Sequence, residues 1–177
     1  VVNIIHWHKG RSKSGITVFG VAAKSGYNSR ARVANATALD DAPVLITLSG
    51  SNNHFENIYL INEGTDNAAI GCLAVSGNRN SFYNCHFSNN GGTRTPQATE
   101  NDLTLYSSEC TFERCFFGNN NRDHSGAVSG NIVLGNSTTQ IGQDYFRDCV
   151  VLSKSSTTTT LYNRNENKIE FDGWNDT

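Results

Sequence analysis

Short segments in which apolar and polar residues alternate, such as Val44-Leu45-Ile46-Thr47-Leu48, recur along the chain between clusters of Gly, Asn and Ser. Alternation at period 2, broken by turn formers, is strand chemistry, and almost nothing here has helical spacing. The segments also repeat in register. Leu48-Ser49-Gly50 through Phe55-Glu56-Asn57-Ile58-Tyr59-Leu60-Ile61-Asn62 matches Val75-Ser76-Gly77 through Phe82-Tyr83-Asn84-Cys85-His86-Phe87-Ser88-Asn89 at a constant offset of 27 residues. A third copy follows at Phe112, offset 30, and a fourth at Phe146, offset 34. Gly15 to Gly20 reads as a weaker early copy and Lys168-Ile169-Glu170-Phe171 as the last, giving five to six units. A repeat that keeps its residue types while its length drifts predicts an all-β solenoid whose coils stack on a shared narrow core.

Equivalent residues of adjacent coils then lie about 4.8 Å apart. Phe55, Phe82, Phe112 and Phe146 form an inward aromatic column. Ile58, Cys85, Cys115 and Cys149 form a second, of smaller residues, and Leu60, Phe87, Phe117 and Val151 a third. Asn57 over Asn84 predicts an amide ladder at a left-handed turn, which Asn tolerates, interrupted by Arg114 and Asp148. Facing outward beside the Phe column are Glu56, Tyr83, Glu113 and Arg147. The long connections, Ser88 to Asp102 and Gly118 to Asn131, are expected to leave the solenoid.

Two half-coils, Asn53-His54-Phe55-Glu56-Asn57 and Asn80-Ser81-Phe82-Tyr83-Asn84, each lead into an in-out-in strand. On these motifs the stretch from Ile16 to Phe171 resembles right-handed parallel β-helices of the pectin-lyase-like class, and within it short β-helix domains of tailed-phage virion proteins. That class holds polysaccharide lyases and hydrolases, tailspikes, adhesins and non-enzymatic virion parts, so fold alone does not select a function. Lyases of the class carry Arg-x-Pro-x-x-Arg, whereas Arg94-Thr95-Pro96-Gln97-Ala98-Thr99 lacks the second Arg, and their Trp-Ile-Asp-His string is absent. Asp40-Asp41 comes without the Asn-Thr-Asp and Arg-Ile-Lys strings of the hydrolase branch. These departures weigh against an enzyme.

Composition adds that the chain is polar without being highly charged, with 23 Asn, 17 Ser and 16 Thr but only 17% charged residues among 177. Recurring Phe and Tyr separate it from disordered chains of similar polarity. Such a length predicts one domain, and a membrane span or leader is not expected, because no apolar run approaches ~18 residues. The lack of Met behind an initial Val1 reads as a piece of something longer. Five Cys without Cys-x-x-Cys pairs give neither a zinc site nor a disulfide framework. Cys85, Cys115 and Cys149 are expected to be free core thiols, with Cys72 and Cys110 off their column. No metal and no cofactor is predicted. His6-Trp7-His8 has no third ligand in view, and Asn119-Asn120-Asn121-Arg122-Asp123-His124 carries too few carboxylates for calcium.

Charge is unevenly spread. Residues 1–39 hold Lys9, Arg11, Lys13, Lys24, Arg30 and Arg32 and no acid, a formal +6, while residues 40–177 carry −8. The expected organisation is a basic docking segment with the first coil (1–39) on an acidic β-helix body (40–177). Nucleic acid is not the expected partner, since aromatic interleaving stops at Trp7 and Phe19. The partners expected are capsid or other virion proteins, with trimeric self-association a further expectation. Glu56 and Glu113, two coils apart at ~9.6 Å, fall at the upper limit for an inverting carboxyl pair, which keeps a polysaccharide-cleaving tailspike as the first alternative and a host-binding adhesin as the second. Five or six coils make a rod of only ~24–29 Å, short for a tailspike groove. The leading expectation is therefore a non-enzymatic virion protein, assembled in the host cytoplasm, that decorates the capsid.

Overall fold

The computed structural model describes residues 13–21, 31–35, 44–63, 71–90, 101–123, 130–135, 142–154, 161–163, 170–172 and 175–176. The first coil comprises β1 (Thr17–Phe19) and β2 (Ala31–Ala34), and the second β3 (Val44–Leu48), β4 (His54–Glu56) and β5 (Ile58–Asn62). The third is β6 (Gly71–Val75), β7 (Ser81–Tyr83) and β8 (His86–Asn89), and the fourth β9 (Asn101–Leu105), β10 (Thr111–Glu113) and β11 (Phe116–Asp123). The fifth is β12 (Gly130–Leu134), β13 (Tyr145–Arg147) and β14 (Val150–Lys154), and the last β15 (Leu161–Asn163), β16 (Glu170–Asp172) and β17 (Asn175–Asp176). Every third strand pairs in parallel. Sheet A runs β1-β4-β7-β10-β13-β16, sheet B β2-β5-β8-β11-β14-β17 and sheet C β3-β6-β9-β12-β15. This is an all-β parallel β-helix, with the coil count the repeats implied.

The registers reproduce the columns read from the sequence. Phe55, Phe82, Phe112 and Phe146 are in line and buried, with successive rings stacked at 5.3, 4.7 and 4.8 Å. Phe171 continues the register. Leu60, Phe87, Phe117 and Val151 are likewise aligned and buried. Cys85, Cys115 and Cys149 are buried free thiols, as are Cys72 and Cys110 on other columns. Each thiol of the Cys column donates to the carbonyl of a Phe one coil earlier, at 3.5 Å in all three cases. One connection departs from expectation: β11 runs on to Asp123 instead of ending at Gly118. Gly118 is left-handed (φ 87°) and the register with β14 shifts after it, so the strand continues past a bulge.

Two single-residue corners bound each of β4, β7, β10 and β13. Asn57, Asn84, Arg114 and Asp148 are left-handed, and so are Asn52, Arg79, Glu109 and Gln143 on the other side. Their N–H groups keep the coil-to-coil ladder: Asn84 donates to Glu113 O at 2.9 Å and Glu109 to Gly142 O at 3.1 Å. Unbroken pairing offsets the ~1–2 kcal/mol that a non-glycine left-handed residue costs. The expected amide ladder is present, with Asn84 Nδ2 donating to Asn57 Oδ1 at 3.2 Å. Gly50 and Gly77 repeat for a different reason, close coil stacking: a Cβ on Gly77 would lie 2.0 Å from Gly50 O.

A second ladder runs inside the rod. Ile16 N–H donates to Asn53 Oδ1 (3.0 Å), Asn53 N–H to Asn80 Oδ1 (2.9 Å), and Cys110 N–H to Asp144 Oδ1 (2.9 Å). Asn80 Nδ2 also donates to Gly50 O and Gly77 O, at 3.0 and 2.6 Å. In the fifth coil Asp144 replaces the amide with a carboxyl. It is 1% exposed and its Oδ2 has no hydrogen-bond partner. Burial pushes that carboxyl from 3.8 up to about 7.

Candidate functional site

Because each sheet A strand is three residues long, its first and third side chains point outward and its middle one is the core Phe or Val18. One outward column reads Thr17, His54, Ser81, Thr111, Tyr145, and the other Phe19, Glu56, Tyr83, Glu113, Arg147. The face carries linked polar groups. His54 Nδ1 lies 2.8 Å from Ser81 Oγ, and His54 Nε2 lies 3.5 Å from Glu56 Oε2. Arg114 Nη1 donates to the Tyr83 hydroxyl at 2.8 Å. Arg147 reaches Glu113 at 3.9 Å and donates from Nε to the Tyr145 hydroxyl at 3.0 Å. On the neighbouring corner Arg79 pairs with Glu109.

The two carboxylates singled out by sequence, Glu56 and Glu113, share one column as expected, with Tyr83 between them. Each is engaged, Glu56 by His54 and Glu113 by Arg147. Of the basic set, Lys13 is exposed and Arg32 pairs with Glu63. Lys9, Arg11, Lys24 and Arg30 lie outside the described residues, as do His6, Trp7, His8, Asp40, Asp41, Arg94, Thr95 and Pro96, and the side chains of 119–124. Among the described residues no group of three His, Cys, Asp or Glu side chains could hold a metal ion.

The first coil is distinctive in another way. Phe19, Val21 and Val33 are the large hydrophobics exposed among the described residues, at 60%, 92% and 38%. Sequence reasoning missed this because apolar residues on strands read as core. It also missed the Ser81–His54 contact, which depends on cross-strand register and not on any repeated residue type. A third omission is a buried polar cluster where sheet B meets sheet C. There Asp102 accepts from Asn89 N–H and Asn131 Nδ2, both at 2.7 Å, and His86 Nε2 lies 2.7 Å from Gly118 O. Cys72, Asp102 and Asn131 occupy the same column, fully buried.

Compared with protein-family models, with curated proteins and with solved structures, the chain matches none.

Proposed function

We propose that this chain is a structural component of a tailed-phage virion, a β-helix of the pectin-lyase-like class that seats on an acidic protein surface of the particle through its first coil. The supporting observation is the placement of Phe19, Val21 and Val33, all exposed and all in or beside β1 and β2. Solvated coils are expected to be polar, and large apolar side chains left exposed on one coil support a contact there. These residues lie in the stretch of formal charge +6, on a body of −8, so the complementary surface is acidic and its capture is steered by charge.

The test is occupancy on purified particles. A triple reversal of Lys9, Arg11 and Lys13 to Glu, and separately Phe19→Ser with Val33→Thr, should each lower occupancy while the melting curve stays that of the parent. Rising salt should weaken binding, since exposed charges are screened beyond ~8 Å at physiological ionic strength. Unchanged occupancy in both variants removes the proposal. Release of reducing ends from host polysaccharide, lost in Glu56→Gln or Glu113→Gln, would replace it with the tailspike reading.

A further inference from the structure

The docking reading uses only Phe19 of the outer face of sheet A, and the neighbouring part of that face has the make-up of a reaction centre. His54 and Glu56 alternate on β4, Ser81 and Tyr83 alternate on β7, and the pairs His54↔Ser81 and Glu56↔Tyr83 set the four side chains in a square. Within it a serine hydroxyl meets an imidazole nitrogen at 2.8 Å, and the other ring nitrogen lies 3.5 Å from a carboxylate. A nucleophile in reach of a base, with the base oriented by a third group, is the arrangement covalent acyl transfer requires.

We propose that Ser81, His54 and Glu56 form a nucleophile, base and orienting carboxylate that hydrolyse short acyl esters on the outer face of sheet A. In the tautomer that carries its proton on Nε2, the nitrogen 3.5 Å from Glu56, the Nδ1 lone pair faces Ser81 and accepts its proton. Ser81 Oγ attacks the acyl carbon as that proton passes to Nδ1. The bond to the alcohol oxygen then breaks, and the imidazolium protonates the departing alkoxide. Water attacks the acyl-serine ester next, giving one proton to His54. Cleavage of the acyl–Oγ bond returns that proton to Ser81 and releases the acid. The balance is ester plus water to acid plus alcohol, with no redox partner. Glu56 orients the ring and stabilises the imidazolium.

Tyr83 is the candidate donor to the developing oxyanion. It follows Ser81 by two residues on the same face, and its hydroxyl oxygen accepts from Arg114 Nη1 at 2.8 Å. That bond occupies an acceptor site and leaves the phenolic proton to be donated outward, strengthened by the guanidinium. The substrate class follows from the shape. His54 and Glu56 side chains are 36% and 37% exposed on a flat sheet face, and Phe19 meets the His54 ring edge-on at 6.0 Å. Such a surface fits a small acyl group carried on an extended molecule, and it offers a long acyl chain only the single ring of Phe19.

The inference shares only Phe19 with the docking reading and is tested on the full chain, away from any particle. Purified protein is incubated with a fluorophosphonate probe and, separately, with p-nitrophenyl acetate. The expected result is a covalent label that peptide mapping places on Ser81, absent in Ser81→Ala and in His54→Gln. Acetate turnover should fall by about 100-fold or more in both variants. Tyr83→Phe should slow turnover about tenfold or more while keeping the label. All are outward substitutions, and unfolding curves that overlay the parent verify the fold; if either Ser81→Ala or His54→Gln misfolds, the other reads the same point. Absence of label on Ser81 in the parent, or turnover unchanged in the folded variant, overturns the proposal.

Discussion

Replacing Asp144 with Asn should stabilise the protein, and the gain should depend on pH. The carboxyl occupies the fifth-coil position of the column Asn53, Asn80, Cys110, Asp144, where Oδ1 accepts from Cys110 N–H and Oδ2 finds no donor. An amide there restores the pattern of Asn80, whose Nδ2 donates to carbonyls of its own and the preceding coil. The folded-state value of about 7 against 3.8 fixes the sign. Below about 3.8 the group is protonated in folded and unfolded chains alike and contributes no difference. Between 3.8 and 7 the folded chain holds the proton more tightly, so stability falls as pH rises, and above 7 the loss is complete. At 1.36 kcal/mol per unit the full loss approaches about 4 kcal/mol. The neighbouring Cys110 thiol is itself pushed up by burial, so it stays neutral over this range. Denaturant unfolding of parent and Asp144→Asn at pH 4, 6 and 8 should show curves that nearly coincide at pH 4 and diverge in favour of the variant at pH 8. A difference that stays constant from pH 4 to 8 would mean that the buried carboxyl is not being held neutral, and the argument fails.

Phe82→Ala and Phe112→Ala should each cost ~3–5 kcal/mol in denaturant unfolding, since both rings are stacked on two neighbours in the core. Reductant should leave the melting temperature unchanged, because all five cysteines are free; a large fall on reduction would contradict this. At the exposed left-handed corner of the fifth coil, Asp148→Gly should stabilise by up to ~1 kcal/mol and Asp148→Ala should not, because only Gly removes the steric cost of φ 49°. Equal effects from the two would remove strain as the explanation.

The columns of Phe55, Phe82, Phe112, Phe146 and of Cys85, Cys115, Cys149 were legible because the core demands similar volume at each level, and the residue type therefore repeats. The Asn57–Asn84 corner was legible because amides stack there. The other corner was not, since Asn52, Arg79, Glu109 and Gln143 share only a backbone conformation, and side-chain type carries little trace of a requirement imposed on φ. Asn53 and Asn80 were in view, but their continuation into Cys110 and Asp144 changes chemistry at each step. Ser81 and His54 face one another through register in a column that also holds Thr17, Thr111 and Tyr145. Reading that contact needed the strands laid side by side.

From the first coil on the repeat runs 37, 27, 30 and 34 residues, yet the two left-handed corners keep one spacing in the second to fifth coils: Asn52 to Asn57, Arg79 to Asn84, Glu109 to Arg114 and Gln143 to Asp148. Among the described strands insertions therefore fall between sheets A and B in the first coil, within β11, between sheets B and C, or ahead of the first corner, and never within sheet A. The physical reason is the pleat. One extra residue between the corners would turn the core Phe outward and an outward polar residue inward, at each interface with the next coil. Sheet A is thus the part of the rod whose outward geometry tolerates no drift, and the 2.8 Å contact between His54 and Ser81 lies on it. A constellation of side chains held to hydrogen-bonding distance needs such a frame. The docking contact we propose needs only exposed area and charge, and the exposed Phe19, Val21 and Val33 lie in or beside the strands of the first coil.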